Sequence, residues 1–283
     1  MGWSNNSGGG GSTVNTSVLK ILTIGNSFSD DATEWLYDIA KSAGAKIIVG
    51  NLSIGGQSLQ GHMAQATGDI ASYTYHKYSD TGKTHTGSKK MSEGLVDEAW
   101  DIITLQQVSN DSGKYATFQP YLNDLIAYIK TKVTNPTKVK FALHRTWAYA
   151  VGSSHGAFPD YGSNQMTMYT AISDAYLKAM KETDIGIVIP SGTAIQNARS
   201  STYLKAVGDD LTRDSYHLDL GMGRYIAGLT FFETLVAPRY GKDIFTDVTF
   251  KPAIDADDTA FNAYLGKVAV RTALTNPFNV TTI

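Results

Sequence analysis

The chain has 283 residues, 42% of them hydrophobic, and its 24 Lys+Arg against 26 Asp+Glu leave a net charge of −2. That is enough apolar material for one large α/β domain or two small ones, and the near balance of charge argues against a nucleic-acid partner, which calls for a basic excess or stripe. The lack of cysteine excludes disulfides, thiolate zinc sites and a cysteine nucleophile without deciding the compartment, and no apolar run approaches the roughly 18 residues of a membrane-spanning helix.

Residues 1–17 (MGWSNNSGGGGSTVNTS) are rich in Gly, Ser and Asn and read as a flexible linker. They lack the basic and apolar regions of a signal peptide. A tether left after removal of an export signal and a cloning linker share this composition. From residue 18 to 283 the chain reads as one domain in which strands and helices alternate. Residues 18–24 are an apolar strand. Within 31–43, Ala32, Trp35, Leu36, Ile39 and Ala43 fall on one helix face. Residues 46–52 form a second strand that runs into Ser53-Ile54-Gly55-Gly56. Residues 62–94 break the rhythm: the aromatic segment 71–78 and a turn at Asp80-Thr81-Gly82-Lys83 suggest a β-hairpin insertion. It forms either a wall of a site or a solvated hairpin apart from one. Three further strands follow at 101–105, 139–144 and 185–189, with helical patterns at about 119–132 and 164–182. After His217 one long helix carries Leu218, Met222, Tyr225, Ile226, Leu229, Phe232 and Val236 on a stripe, and a helix at about 258–274 packs onto the same domain.

Five strands separated by helices imply a three-layer α/β/α, doubly wound (flavodoxin-like) parallel sheet covered on both faces. Ligands of such sheets bind beyond the carboxyl ends of the strands. Ser27, Gly55-Gly56, Gln106-Gln107 and Trp147 all follow strand ends, so they are expected at one rim. The dimensions of a pocket there depend on residues 62–94 and on the loop 151–162.

Ser27, in Gly25-Asn26-Ser27-Phe28-Ser29-Asp30, stands between a strand and a helix. A helix start offers unpaired N–H groups and a positive dipole end, so a serine there can expose its hydroxyl while its own N–H holds an oxyanion. The same residues also suit plain N-capping or a phosphate cradle. In Asp214-Ser215-Tyr216-His217 a carboxylate precedes an imidazole by three residues. One turn can then present both, as a base and its orienting acid require; a surface Asp and a capping His are the plainer alternative. Gly56 can offer a backbone N–H free of a side chain. Gln106 and Gln107 leave a hydrophobic strand and need partners, either an oxyanion or the loop itself. Trp147 and Tyr149 suit a sugar or acyl pocket, or core packing. His62, His76, His85, His144 and His155 show no metal-ligand spacing, so no metal or other cofactor is assigned.

These residues resemble the SGNH/GDSL hydrolase superfamily across most of 18–240. Its block I is matched by Ile24-Gly25-Asn26-Ser27-Phe28-Ser29, with Asn-Ser-Phe where many members have Asp-Ser, its block II glycine by Gly56, and its block V by Asp214-Ser215-Tyr216-His217. Block III departs: Asn110-Asp111 falls at the register of Gly-x-Asn-Asp but lacks the glycine, while a Gln-Gly-Glu-Ser alignment selects Gln107. The wording Gly-Asn-Ser-Phe-Ser and Arg-Asp-x-Tyr-His-Leu is similar to a Bacteroides-type bacterial branch. The resemblance implies an exported serine esterase acting on a short-chain, acetyl-type ester of a carbohydrate. Ser27 is then the nucleophile, His217 the base and Asp214 its orienter. The N–H groups of Ser27 and Gly56, with Gln107 or alternatively Asn110, form the oxyanion hole, and Gln106, Trp147 and Tyr149 bind substrate. Two rivals stay open: a non-catalytic glycan-binding protein on this scaffold, and a nucleotide or phosphate binder using the Gly25–Asp30 turn, which leaves Asp214 and His217 unexplained and lacks a multiple-glycine loop.

Overall fold

The computed structural model describes residues 17–183 and 185–283. The linker expected over 1–17 therefore lies outside the described residues, apart from Ser17. In chain order the elements are β1 Leu19–Gly25, α1 Ser27–Thr33, α2 Leu36–Ser42, β2 Ile47–Ser53, α3 Leu59–Gly68, β3 Tyr73–Ser79, β4 Gly82–Lys89, α4 Met91–Val96, β5 Ile102–Leu105, α5 Tyr121–Lys132, β6 Lys140–His144, α6 Gln165–Thr183, β7 Val188–Ile189, α7 Ser191–Ala198, α8 Thr202–Lys205, α9 Met222–Phe231, α10 Ala237–Tyr240 and α11 Ala260–Thr275.

The strands form one seven-stranded sheet in the order β4-β3-β2-β1-β5-β6-β7. The five expected strands are its parallel part: β1 pairs with β2 and β5, β5 with β6, and β6 with β7. The expected count of five is corrected to seven, because β3 and β4 extend the sheet as an antiparallel hairpin on β2. Tyr73, Tyr75 and Tyr78 of β3 are buried, so the hairpin is held by packing as well as by its ladder. β1 shows why the centre is parallel: apart from Lys20 it is buried along its length, as a strand covered on both faces must be.

Helices cover the two faces. One group contains α1, α2, α7, α9 and α11, which touch one another in series, and α3, α4 and α5 form another. The single helix expected over 31–43 is two. α1 begins four residues earlier and ends at Thr33, whose hydroxyl bonds back to the Ser29 carbonyl at 2.8 Å, a contact that bends helices. The long helix expected after His217 starts later, at Met222, and passes through a π-helical stretch at Phe232–Val236 before α10. Pro238 enters the first turn of α10 without an N–H to give to the preceding turn.

The sheet order reverses direction at β1, which has β2 on one side and β5 on the other. The loops after these three strands meet at that switch point, where doubly wound sheets form their binding crevice. Gly25 makes the junction possible. A Cβ there would lie 2.8 Å from Ser29 Oγ and 2.9 Å from the Gln106 amide carbon.

Candidate active site

Asn26 follows β1 in an extended conformation and caps α1, its side-chain oxygen accepting from the Phe28 N–H at 3.0 Å. Ser27 is thereby the first residue of the helix, where the backbone N–H has no partner one turn back. The orientation of the Asn26 amide follows from its neighbours. His144 is fully buried, and burial pushes its imidazole down to about 3, so the ring is neutral. Its Nδ1 lies 2.7 Å from Gln106 Oε1, an acceptor, and Nδ1 therefore carries the proton. The Gln106 amide nitrogen then donates to Asn26 Oδ1 at 2.9 Å, and Asn26 Nδ2 donates to the Gln57 carbonyl at 3.0 Å. Four groups, His144, Gln106, Asn26 and Gln57, thus fix one another in a single direction.

The last of them closes the turn Ile54-Gly55-Gly56-Gln57, in which Gln57 N–H donates to the Ile54 carbonyl at 3.1 Å. Gly56 is third in that turn with φ +67°, the backbone that glycine adopts at no steric cost. The Gly56 turn is in this way tied to the start of α1.

On the other side of Ser27 stands the segment 213–218. His217 Nε2 is 2.8 Å from Ser27 Oγ, and His217 Nδ1 is 2.6 Å from Asp214 Oδ2. Asp214 Oδ1 also accepts from the backbone N–H groups of His217 at 2.7 Å and Tyr216 at 3.3 Å. Burial raises the Asp214 carboxyl, but the His217 ring and these N–H groups outweigh it and hold its pKa below the usual carboxylate range. Ser215 reaches the required turn at φ +73°, a conformation that a non-glycine residue adopts at a cost. Trp147 secures the turn, stacking on Phe28 at 4.3 Å between ring centroids and donating its indole N–H to the Tyr216 carbonyl at 2.8 Å.

A cavity of about 330 Å³ opens over Ser27 and His217, lined also by Gly56, Ser109, Asn110, His155 and Tyr216. A larger one of about 510 Å³ beside Tyr37 and Lys46 holds no hydroxyl–imidazole pair. The structure thus brings Ser27, His217, Asp214, Gly56 and Asn110 together. It corrects four other expectations. The Gln107 side chain is wholly committed to its own loop and to the start of α3: its oxygen accepts from the N–H groups of Leu59 and Val108, and its nitrogen donates to the carbonyl and hydroxyl of Thr117, each at 2.9–3.0 Å. It is unavailable to an oxyanion. Gln106 and Trp147 stand behind the site as supports and not on its surface. Tyr149 is buried, with its hydroxyl 3.0 Å from Ser109 Oγ. The hairpin insertion is no wall either, since no lining residue falls between 62 and 94.

His155 and Tyr216 line the cavity without having been singled out. The Tyr216 ring lies 4.2 Å from that of His217 and 4.9 Å from that of His155. Burial, then the neighbouring His217, lower the pKa of His155. Membership of the loop 151–162 was its one signal. Among the described residues no group of three or more His, Asp or Glu side chains is placed to hold a metal ion, and no helix is long and apolar enough to cross a membrane.

The profile of DUF4886, a domain of unknown function, matches residues 20–272. A DUF4886 family protein from Bacteroides uniformis ATCC 8492 is 38% identical, with a TM-score of 0.85 over 94% of this chain and 98% of that one. Axe2, an acetylxylan esterase from Geobacillus stearothermophilus, is 14% identical with a TM-score of 0.50, over 77% of this chain and 94% of its own. A candidate GDSL-like lipase from Parabacteroides merdae ATCC 43184 is 15% identical with a TM-score of 0.50, over 78% and 97%. At that distance the likeness is one of fold. No curated protein matches. The chain belongs to the DUF4886 family, close to a Bacteroides relative, on an α/β fold that it shares with Axe2 and the GDSL-like protein.

Proposed function

We propose that this protein is a serine esterase that removes a short acyl group, acetyl above all, from a carbohydrate. The observation that carries the reading is the continuous line from Ser27 Oγ to His217 Nε2 at 2.8 Å and from His217 Nδ1 to Asp214 Oδ2 at 2.6 Å. That line supplies a nucleophile, a base and an orienter of the base. Ser27 Oγ bonds to the ester carbonyl carbon as its proton passes to His217 Nε2. The tetrahedral oxyanion takes the N–H groups of Ser27 and Gly56, with the Asn110 side chain as third donor in place of Gln107. Collapse breaks the bond to the alcohol oxygen, which leaves with the proton from His217. Water, deprotonated by the same imidazole, then releases the acid and restores Ser27. Asp214 holds the proton on Nδ1 and stabilises the imidazolium.

The cavity of about 330 Å³ suits a small acyl group, and the Tyr216 and His155 rings at its edge suit the face of a sugar. Axe2, which shares the fold, is described as an acetylxylan esterase. The Gly/Ser/Asn-rich first 17 residues fit an exported, tethered protein, which cell fractionation of the source organism checks. The chemical test sets wild type against Ser27→Ala with 4-nitrophenyl esters of increasing chain length and with a fluorophosphonate. Expected are turnover and labelling in the wild type alone, fastest for acetyl. A folded wild type that neither turns over nor labels, yet binds sugars on an array, would move the reading to glycan binding without catalysis.

A further inference from the structure

We infer that Asp31 is a positioning residue of this site, holding His217 at its working distance from Ser27; the inference rests on the esterase reading above. α1 carries both Ser27 and, four residues on, Asp31. One helical turn therefore separates the nucleophile from a side chain that points to the same side. Asp31 is fully buried. Its Oδ2 accepts from the Leu218 N–H at 2.9 Å, and its Oδ1 accepts from Arg213 Nη1 at 2.9 Å. These two contacts bracket Asp214–His217. Arg213 closes the bracket, its backbone N–H donating to the His217 carbonyl at 3.0 Å and its guanidinium to the Leu218 carbonyl. Arg224 of α9 meets the same Oδ1 at 2.9 Å.

Economy of stability does not explain this arrangement. A buried carboxylate gathering two guanidiniums costs desolvation that apolar packing of the same volume avoids. What the charges add is direction. Each N–H···O contact admits little change of angle, and the two oxygens of one carboxylate grip the segment on both sides of His217. The strained Ser215 inside the bracket needs such enclosure to persist. A nucleophile and a base on segments 190 residues apart are thereby referred to a single helix.

The test compares wild type, Asp31→Asn and Arg224→Met in the full chain. Turnover of 4-nitrophenyl acetate, the rate of fluorophosphonate labelling, urea stability and the low-field Nδ1–H proton resonance of His217 are measured for each. Asp31→Asn is expected to fold, to lose kcat by about 10- to 100-fold with KM within about threefold of wild type, to label more slowly by the same factor, and to shift or broaden the His217 signal. Arg224→Met removes a partner of Asp31 without touching 213–218, and is expected to lose stability with a smaller loss of kcat per folded molecule than Asp31→Asn. An Asp31→Asn protein with wild-type kcat per labelled molecule and an unmoved His217 resonance overturns the inference. If the wild type itself neither turns over nor labels, the esterase reading falls, and the resonance alone decides: a shift in Asp31→Asn upholds the positioning role, and no shift ends it.

Discussion

Replacing Asn26 by Ala tests the geometry of the site where most of it converges. Three hydrogen bonds end on this side chain. Loss of the N-cap costs about 1 kcal/mol. The Gln106 amide hydrogen is left buried without an acceptor, at roughly 1–3 kcal/mol. Gln57 is partly exposed and its carbonyl takes water instead. The sum, about 2–4 kcal/mol, leaves a domain of ordinary stability folded. Catalysis suffers more, because the Gly56 turn loses its tie to α1. Loss of one oxyanion donor is worth about 10²–10³ in kcat, and at least about 10² is expected here. Asn26→Asp keeps the oxygen that caps α1 and accepts from Gln106, but sets a buried carboxylate oxygen against the Gln57 carbonyl. It should lose stability as well as kcat for 4-nitrophenyl acetate. Asn26→Ala with stability within about 0.5 kcal/mol of wild type, or Asn26→Asp with undiminished kcat, would refute the argument.

The remaining predictions concern the oxyanion donor and the base. Asn110→Ala should lower kcat by about 10²–10³ with little loss of stability, whereas Gln107→Leu, which strands the N–H groups of Leu59 and Val108, should destabilise the fold and leave kcat per folded molecule nearly unchanged; paired urea and active-site-titrated kinetics decide, and the reverse pattern would return Gln107 to the oxyanion hole. Asp214→Asn should lower kcat by about 10²–10⁴ and His217→Ala by more; a wild-type rate in Asp214→Asn would remove Asp214 from the mechanism. The depressed Asp214 carboxyl also fixes the sign of a pH effect. Its contribution is fully present above the unfolded value of about 3.9 and is lost only as pH falls through the lower folded value. The Asp214 carboxyl should therefore add no second proton to the acid limb of kcat/KM, and a slope of two there would show Asp214 titrating in the same window.

Much of the fold was legible because the five parallel strands are nearly continuous apolar runs between helical patterns. The hairpin was legible as a hairpin, but its place in the sheet was not. β4 is exposed along most of its length, and nothing in an exposed strand names the edge it joins. α7 left no periodic trace because all eight of its residues are buried, and a helix covered all round has no polar face to set its period. In the site, the residue types around Ser27 and Asp214–His217 pointed to their partners because one chemistry needs all three. Gln107 shows the limit of that reasoning. A buried amide must be satisfied, but the rule does not say by what, and here Thr117 of its own loop answers. Trp147 misled in the same way: an aromatic after a strand end signals a rim, while its partners Phe28 and the Tyr216 carbonyl belong to the layer beneath.

That lower layer accounts for the polar character of this end of the sheet. Ser27 and His217 come from opposite ends of the domain, and apolar packing alone tolerates small slips between such segments. Directional contacts do not. Asn26 binds the start of α1 to the turns after β2 and β5, Trp147 binds α1 to the Tyr216 carbonyl, and Asp31 binds it to both flanks of His217. Each contact runs from α1 or from a residue stacked on it. α1 is therefore the common reference for Ser27, the Gly56 turn and His217. An error in its seating moves all three together, and their separations stay fixed. Those separations, rather than absolute position, are what the proposed attack on a carbonyl requires.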